Sequence, residues 1–248
     1  VRNTGDDALA MWAQDVPNAN NSFTHNTIGV TLLANHLVSY GGRDITISDN
    51  VVADSLTNGG GIHVANRYPG VNGATAVAGT WTIARNTLIR AGNSDYNWNF
   101  GVGAIWFSAL NEPFNNPTIN ITDTDIYDSS YAALHWIEGQ TTGINLRNVN
   151  IVGTGTYALQ VQAPSTVSFT NVRATGVAQN PPVHNCVGSP NLVQSHPVSR
   201  HSVNPAFGLP QELKSLDSTV PYPGREIRPL DQRYQLADPP VRAMADGF

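Results

Sequence analysis

The chain has 248 residues, a formal net charge of -5 and only 12% charged side chains. This length fits one large β domain or two smaller ones, and the weakly acidic, mostly uncharged composition suits a neutral polymer better than a nucleic acid. The absence of an apolar run of about 18 residues excludes a membrane-spanning helix, and the single cysteine, Cys186, excludes an internal disulfide.

The first feature in chain order is Gly5-Asp6-Asp7, the only place where two acidic residues are adjacent. Like charges at short range raise one of the two pKa values, so such a pair can put an acid beside a base. Strand alternation would send the two side chains to opposite faces, but a turn that follows a glycine can direct both into one cleft. A solvent-facing loop is the competing interpretation, and the rest of the chain has to decide between them.

An apolar repeat follows, with residues at offsets 0, +2 and +7, the last of them five positions after the second. It occurs in Ile45/Ile47/Val52, Trp81/Ile83/Leu88, Ile119/Ile121/Ile126, Ile144/Leu146/Ile151 and Val167/Phe169/Ala174. The starts are 36, 38, 25 and 23 residues apart, which indicates a rung of about 23 residues with insertions in two places. Units this short cannot bury an apolar face alone and must stack.

Each repeat also contains a second short strand. These strands are 61–64, 104–107, 133–136 and 158–161. Several strands per rung without helical periodicity predict an all-β fold, a right-handed parallel β-helix. A β-sandwich would need two-residue hairpin turns, whose signals the sequence lacks. The inward offsets place Trp81 and Trp136 in the core, and asparagines near the bends, such as Asn50 and Asn86, are expected to stack as structural ladders.

Aligning the second strands places Leu9 over Ile62 and its counterparts in later rungs. The residues one step further then form an outward column: Ala10, His63, Trp106, His135 and Gln160. An exposed column of this composition predicts the floor of a groove. Ordinary surface histidines and a tryptophan packed under a loop are the competing interpretations, and neither histidine has a partner at metal-ligand spacing.

The two insertions, 66–79 and 91–101, interrupt the rungs. Insertions in solenoids collect on one face, often the binding face. Their aromatic and polar side chains suit sugar rings. We therefore expect Trp12, Arg67, Tyr68, Trp98 and Glu138 to join His63, Trp106 and His135 in binding substrate, with local core positions and rim charges as the alternative. Carboxylates beside such a groove suggest glycoside hydrolysis, without a metal or cofactor.

The repeat stops after Cys186. Residues 187–248 hold nine of the sixteen prolines, a composition typical of a poorly ordered tail or linker. The predicted domains are thus a β-helix over 1–186 and a tail over 187–248. Val1 falls in the middle of the pattern, so we expect further rungs upstream.

Several long runs in residues 1–186 resemble one family. They are Asn3 to Trp12, Asn66 to Thr75, Asn86 to Asn99 and Gly155 to Gln162. Together they are similar to glycoside hydrolase family 87, the bacterial α-1,3-glucanases and mycodextranases. The resemblance implies a secreted, endo-acting, inverting enzyme that acts on a neutral α-glucan, and we expect a monomer. It also implies three catalytic aspartates: Asp6, Asp7 and a third one rung upstream, before Val1.

Other classes stay open at this point. A non-catalytic β-solenoid module, such as an adhesin, predicts that Asp6 and Asp7 point apart and that loops cover the His63, Trp106 and His135 column. A polygalacturonase-like enzyme also carries Gly-Asp-Asp, but its Gly-His-Gly and Arg-Ile-Lys signatures are absent. A polysaccharide lyase would need a more basic groove than a body without lysine provides.

Overall fold

The computed structural model describes residues 1–93 and 101–187, and the backbone of 191–194 and 199–200. In chain order the strands are β1 Leu9–Trp12, β2 Ser22–Thr24, β3 Thr27–Ile28, β4 Leu37–Tyr40, β5 Thr46–Ser48, β6 Val51–Ala53, β7 Ile62–Ala65, β8 Thr80–Ala84, β9 Thr87–Ile89, β10 Ile105–Ser108, β11 Thr118–Ser129, β12 Leu134–Glu138, β13 Thr141–Thr154, β14 Leu159–Val161, β15 Ser165–Thr170, β16 Arg173–Val177, β17 Val183–Asn185, β18 Asn191–Gln194 and β19 Ser199–Arg200. A short 3-10 helix, Gly73–Thr75, lies between β7 and β8. No helix in these ranges is long and apolar enough to cross a membrane.

The strands form two parallel sheets that wind around one core. Sheet 1 takes one strand from each rung, in the order β1-β4-β7-β10-β12-β14-β17, and the other twelve strands form sheet 2. Neighbouring strands within each sheet are parallel, as in β7 beside β10 and β11 beside β13. The predicted parallel β-helix is therefore confirmed.

The apolar repeat supplies the core. Ile45, Ile47, Trp81, Ile83 and Ile121 are fully buried, and the inward positions predicted in the other rungs join the same cluster. Trp136 is buried in sheet 1 and stacks on Phe107, with 5.4 Å between the ring centroids. Burial of this apolar surface is the main driving force for stacking the rungs, because no rung could bury its own face.

A residue in the left-handed conformation explains why the repeat runs 0, +2 and +7. The residue at offset +4 has a positive φ in every repeat: Asp49, Arg85, Asp123, Asn148 and Asn171. One such residue turns the chain, so that the residue after the bend points inward again. Asp and Asn tolerate this conformation better than most residues. At the exception, Arg85, the guanidinium forms two hydrogen bonds with the Asp49 carboxylate.

The predicted asparagine ladders are present. Asn50 is fully buried. Its Nδ2 donates to Oδ1 of Asn86 at 2.9 Å, and its own Oδ1 accepts from Nδ2 of Asn26 at 2.9 Å. A second, exposed ladder joins Asp123, Asn148 and Asn171. The buried ladder satisfies polar groups that lie next to the core.

Replacing Asn50 by alanine is expected to lower the free energy of unfolding by about 1–3 kcal/mol, because the buried Asn86 and the half-buried Asn26 on the neighbouring rungs lose hydrogen bonds. Asn148→Gly is the matched control, because glycine adopts the positive φ of Asn148 without strain. Its ladder is exposed, and we expect a change below about 0.5 kcal/mol. Urea unfolding followed by circular dichroism measures both variants. Equal effects would show that burial of the ladder is irrelevant.

Strand pairing continues past the predicted boundary at residue 186. β18 pairs with β15 and β19 pairs with β16, both in parallel. The rest of the segment predicted as a tail lies outside the described residues.

Candidate functional site

The acidic pair lies immediately before β1, at the first rung of sheet 1. Asp6 is exposed, and its Oδ1 accepts the backbone N–H of Asp7 at 2.7 Å. Asp7 is half-buried. The backbone N–H of Ala8 donates to the carbonyl of Asn35 at 2.8 Å, which fixes the start of β1 against the second rung.

Three donors hold the Asp7 carboxylate. Oδ1 accepts the backbone N–H of Asn35 at 2.7 Å and its side-chain Nδ2 at 2.9 Å. Oδ2 accepts the hydroxyl of Tyr40 at 2.8 Å. Hydrogen bonds from both sides fix the position and rotation of the carboxylate.

The electrostatic environment of Asp7 contains opposing effects. Burial raises the pKa of Asp7, the hydrogen bonds from Asn35 and Tyr40 lower it, and the neighbouring Asp6 raises it again. The net shift is upward because removal from water disfavours the charge more than the donors favour it. Burial and the Asp7 charge raise the pKa of Tyr40 as well, so the hydroxyl stays protonated and serves as a donor.

Asn35 connects Asp7 to later rungs. Its side-chain Oδ1 accepts Nε1 of Trp106 at 2.9 Å and the backbone N–H of Gly60 at 3.1 Å. Trp106 stacks on His63 with 3.3 Å between ring centroids and an interplanar angle of 8°. The edge of Tyr40 meets the same imidazole at 5.7 Å between centroids. The carboxylate of the first rung is therefore fixed by residues of the next three rungs.

The predicted column exists, but it is not an exposed floor. The register aligns His63, Trp106, His135 and Gln160 as expected. All four are buried, at no more than 3% exposure. They are covered because each packs against a polar or aromatic neighbour: Tyr40 and Trp106 enclose His63, and Tyr131 contacts His135 and Gln160.

Burial leaves both histidines of the column uncharged. Desolvation, followed by the nearby Arg67 charge, lowers the pKa of His63. Desolvation also lowers the pKa of His135 to about 4, although the hydrogen bond from its Nε2 to Gln162 has the opposite effect. Within the described residues, neither ring nitrogen of His63 has a hydrogen-bond partner. These imidazoles are packing groups rather than cationic ligands for an anion.

The prediction that β1 lies directly beside β7 is wrong by one rung. β4 lies between them, so Ala10 pairs with Val38 and Val38 pairs with His63. The intervening rung supplies Asn35 and Tyr40, the two partners of Asp7 that sequence reasoning missed. The short apolar run Leu37-Val38, which belongs to no repeat of the 0, +2, +7 pattern, was the available signal.

An aromatic surface borders this site. Trp12 and Tyr68 are 49% and 40% exposed, and both rings lie against Tyr40 at 6.2 and 4.9 Å between centroids. Nε1 of Trp12 donates to the carbonyl of Pro69 at 3.3 Å. The insertion 66–79 thus places Tyr68 against Tyr40, the hydroxyl of which donates to Asp7.

An open pocket of about 480 Å³ continues from Tyr68. It is lined by Arg67, Tyr68, Pro69, Gly70, Asn72, Leu110 and Asn111. Arg67 forms an ion pair with Glu138, whose Oε1 also accepts the Ser108 hydroxyl at 2.7 Å. Of the predicted binding residues, Trp98 lies outside the described residues.

The fold and the site define a class: a parallel β-helix with a tightly bound carboxylate at one end of a sheet and aromatic side chains beside it. Among solved structures, the chain is similar to the catalytic unit of a thermostable GH87 α-1,3-glucanase from Streptomyces thermodiastaticus strain HF3-3, with 33% identity, a TM-score of 0.70, and coverage of 77% of this chain and 36% of that one. The predicted resemblance to glycoside hydrolase family 87 is thereby confirmed.

Two further solved structures share the fold. The Agl-KA catalytic domain is 24% identical with a TM-score of 0.67, over 77% of this chain and 35% of that chain. A GH87 α-1,3-glucanase catalytic domain in complex with nigerose is 23% identical with a TM-score of 0.57, over 79% and 38%. The chain spans about a third of the length of these structures. No family model and no curated protein sequence matches it.

Proposed function

We propose that the chain forms part of the catalytic unit of a glycoside hydrolase that cleaves α-1,3-glucosidic linkages in glucan. The observation that carries this proposal is the Asp7 carboxylate, held by three donors in a β-helix that is 33% identical to a GH87 α-1,3-glucanase catalytic unit. Ordinary surface aspartates need no such set of partners.

The proposed reaction is endo-acting hydrolysis with inversion. One carboxylic acid protonates the glycosidic oxygen, while a carboxylate on the opposite face of the sugar activates water. Asp6 and Asp7 supply two of the carboxyl groups, and the family resemblance implies a third aspartate upstream of Val1. We expect residues 1–248 alone to turn over glucan weakly or not at all.

The exposed aromatic residues suit the proposed substrate. Trp12 and Tyr68 offer flat apolar faces to glucosyl rings, and Arg67 borders the adjoining pocket with donors for hydroxyl groups. Related catalytic domains were solved with nigerose and with tetrasaccharides, which supports an α-glucan as ligand. The burial of His63, Trp106 and His135 favours a supporting role for them behind this surface.

The setting follows from the same resemblance. We propose a secreted, bacterial, monomeric enzyme that needs no metal or cofactor and binds neither nucleic acid nor membrane. Among the described residues, no group of three His, Cys, Asp or Glu side chains is placed to hold a metal ion.

The test is a reducing-end assay of the full-length protein on insoluble α-1,3-glucan, with α-1,4- and α-1,6-glucans as controls. We expect release of oligosaccharides from the α-1,3 polymer, and proton NMR of the earliest products should show the β-anomer, because inversion converts an α linkage. Binding without turnover would instead support a non-catalytic solenoid, for which the covered column is also expected. Products with the α-anomer would overturn the inverting scheme.

A further inference from the structure

Within the described residues, the Asp7 carboxylate accepts three hydrogen bonds. Two N–H groups of Asn35 approach Oδ1, and one O–H of Tyr40 approaches Oδ2. An oxygen of a carboxylate has about two lone-pair sites. Oδ1 is therefore filled, whereas Oδ2 keeps one position for a further hydrogen bond.

Neighbouring residues fix the orientation of both donor side chains, Asn35 and Tyr40. The Asn35 side chain is fixed in one orientation, because its own Oδ1 accepts from Trp106 and Gly60, so that Nδ2 must point to Asp7. Tyr40 is buried between His63, Tyr68 and Trp12, which holds its ring and aims its hydroxyl at Oδ2. Donors on both oxygens favour the ionised carboxylate and set its rotation.

We propose that Asn35 and Tyr40 are positioning residues that hold Asp7 as a carboxylate with the open position of Oδ2 as its proton-accepting atom; this inference rests on the proposed hydrolase function. In the reaction, Oδ2 takes a proton from water as the water oxygen forms a bond to the anomeric carbon. The bond from that carbon to the glycosidic oxygen breaks, and another carboxylic acid of the site protonates the leaving oxygen. The charges balance because one carboxyl group gains the proton that the other loses.

The arrangement predicts a specific pH effect. A base works only when it is deprotonated, so activity is lost as the pH falls through its pKa. The Tyr40 and Asn35 hydrogen bonds lower the pKa of Asp7. Removing either donor therefore raises that pKa and moves the acidic limb of the kcat/KM profile to higher pH. The other groups near Asp7 are Asp6 in its own segment and, beyond Tyr40, Tyr68 and the neutral His63.

Two variants of the full-length protein test this. Tyr40→Phe keeps the buried ring and removes the hydroxyl. Asn35→Asp keeps an acceptor for Trp106 and Gly60 but replaces the amide donor with a like-charged oxygen. It should therefore raise the pKa of Asp7 more than Tyr40→Phe does. For Tyr40→Phe we expect kcat at the optimum to fall about tenfold, the value of one hydrogen bond to a charged group. Tyr157→Phe, in the sixth rung of sheet 1, is the matched control and should leave the profile unchanged.

A readout that does not depend on turnover separates this inference from the proposed function. Carbon-13 NMR of aspartate-labelled protein, with the Asp7 signal assigned from Asp7→Asn and Asp6→Asn spectra, follows the protonation of Asp7 directly. The proposal is supported if the titration midpoint of Asp7 lies at higher pH in both variants and the acidic limb of the kcat/KM profile moves by the same amount. An unchanged midpoint, or movement of the alkaline limb alone, would overturn it. Absence of turnover in the wild type with a shifted midpoint would reject the hydrolase function but retain the role of both residues in fixing Asp7.

Discussion

Replacing Asp7 by asparagine in the full-length protein is expected to lower kcat on α-1,3-glucan by about 10²- to 10⁴-fold, the contribution of one positioned acid or base. The asparagine keeps the shape of the side chain and an oxygen that can accept both N–H groups of Asn35. It cannot gain or lose a proton at neutral pH. The variant should therefore fold normally and bind glucan while chemistry stops.

Asp15→Asn is the matched control for this substitution. Asp15 is an exposed aspartate that follows β1, so the same chemical change there should leave kcat within about twofold of the wild type. Reducing-end assays and melting temperatures of the two variants, measured together, separate lost catalysis from lost folding. Wild-type turnover by Asp7→Asn would remove Asp7 from the catalytic set.

The second large effect concerns two tryptophans that sequence analysis assigned to the same role. Trp106 is 1% exposed and donates to Asn35, whereas Trp12 is 49% exposed. Trp106→Ala should lower the free energy of unfolding by about 3–5 kcal/mol, because it leaves a cavity under the site. Trp12→Ala should change stability by less than about 1 kcal/mol and weaken glucan binding by up to about tenfold, through the loss of an aromatic face.

Denaturant unfolding and glucan pull-down of the two variants check this contrast. Trp12→Ala and Trp106→Ala remove the same side chain, so each is the control for the other. If Trp106→Ala kept wild-type stability and lost binding, the buried column would have to open to the ligand, and the supporting role of Trp106 would be wrong.

The fold follows from the sequence because its signal is local and repeated. Five repeats place apolar residues such as Ile119, Ile121 and Ile126 at the same offsets, and parallel pairing then fixes the register of neighbouring strands. The alignment of His63 with Trp106 and His135 was predictable for this reason. Solenoids are favourable cases, since each strand pairs only with the strands of the neighbouring rungs.

The site was less predictable because its contacts are distant in sequence. Asn35 is 28 residues from Asp7 and 71 from Trp106, and no pattern in its own segment indicates that it joins them. Exposure of the column was wrongly predicted for a related reason. Strand alternation states that His63 faces outward, but only the packed structure shows that Tyr40 and Trp106 cover it.

The bridging position of Asn35 limits how such a protein can evolve. A β-helix can lengthen by duplicating a rung, since an identical neighbour offers the same core face. Duplication of one of the first four rungs of sheet 1 would insert a strand spacing of about 4.8 Å. It would separate either Asp7 from Asn35 or Asn35 from Trp106, and the hydrogen bond of that pair would be lost. A rung added after β10 leaves these hydrogen bonds intact, so the surface can lengthen in that direction without loss of the Asp7 contacts.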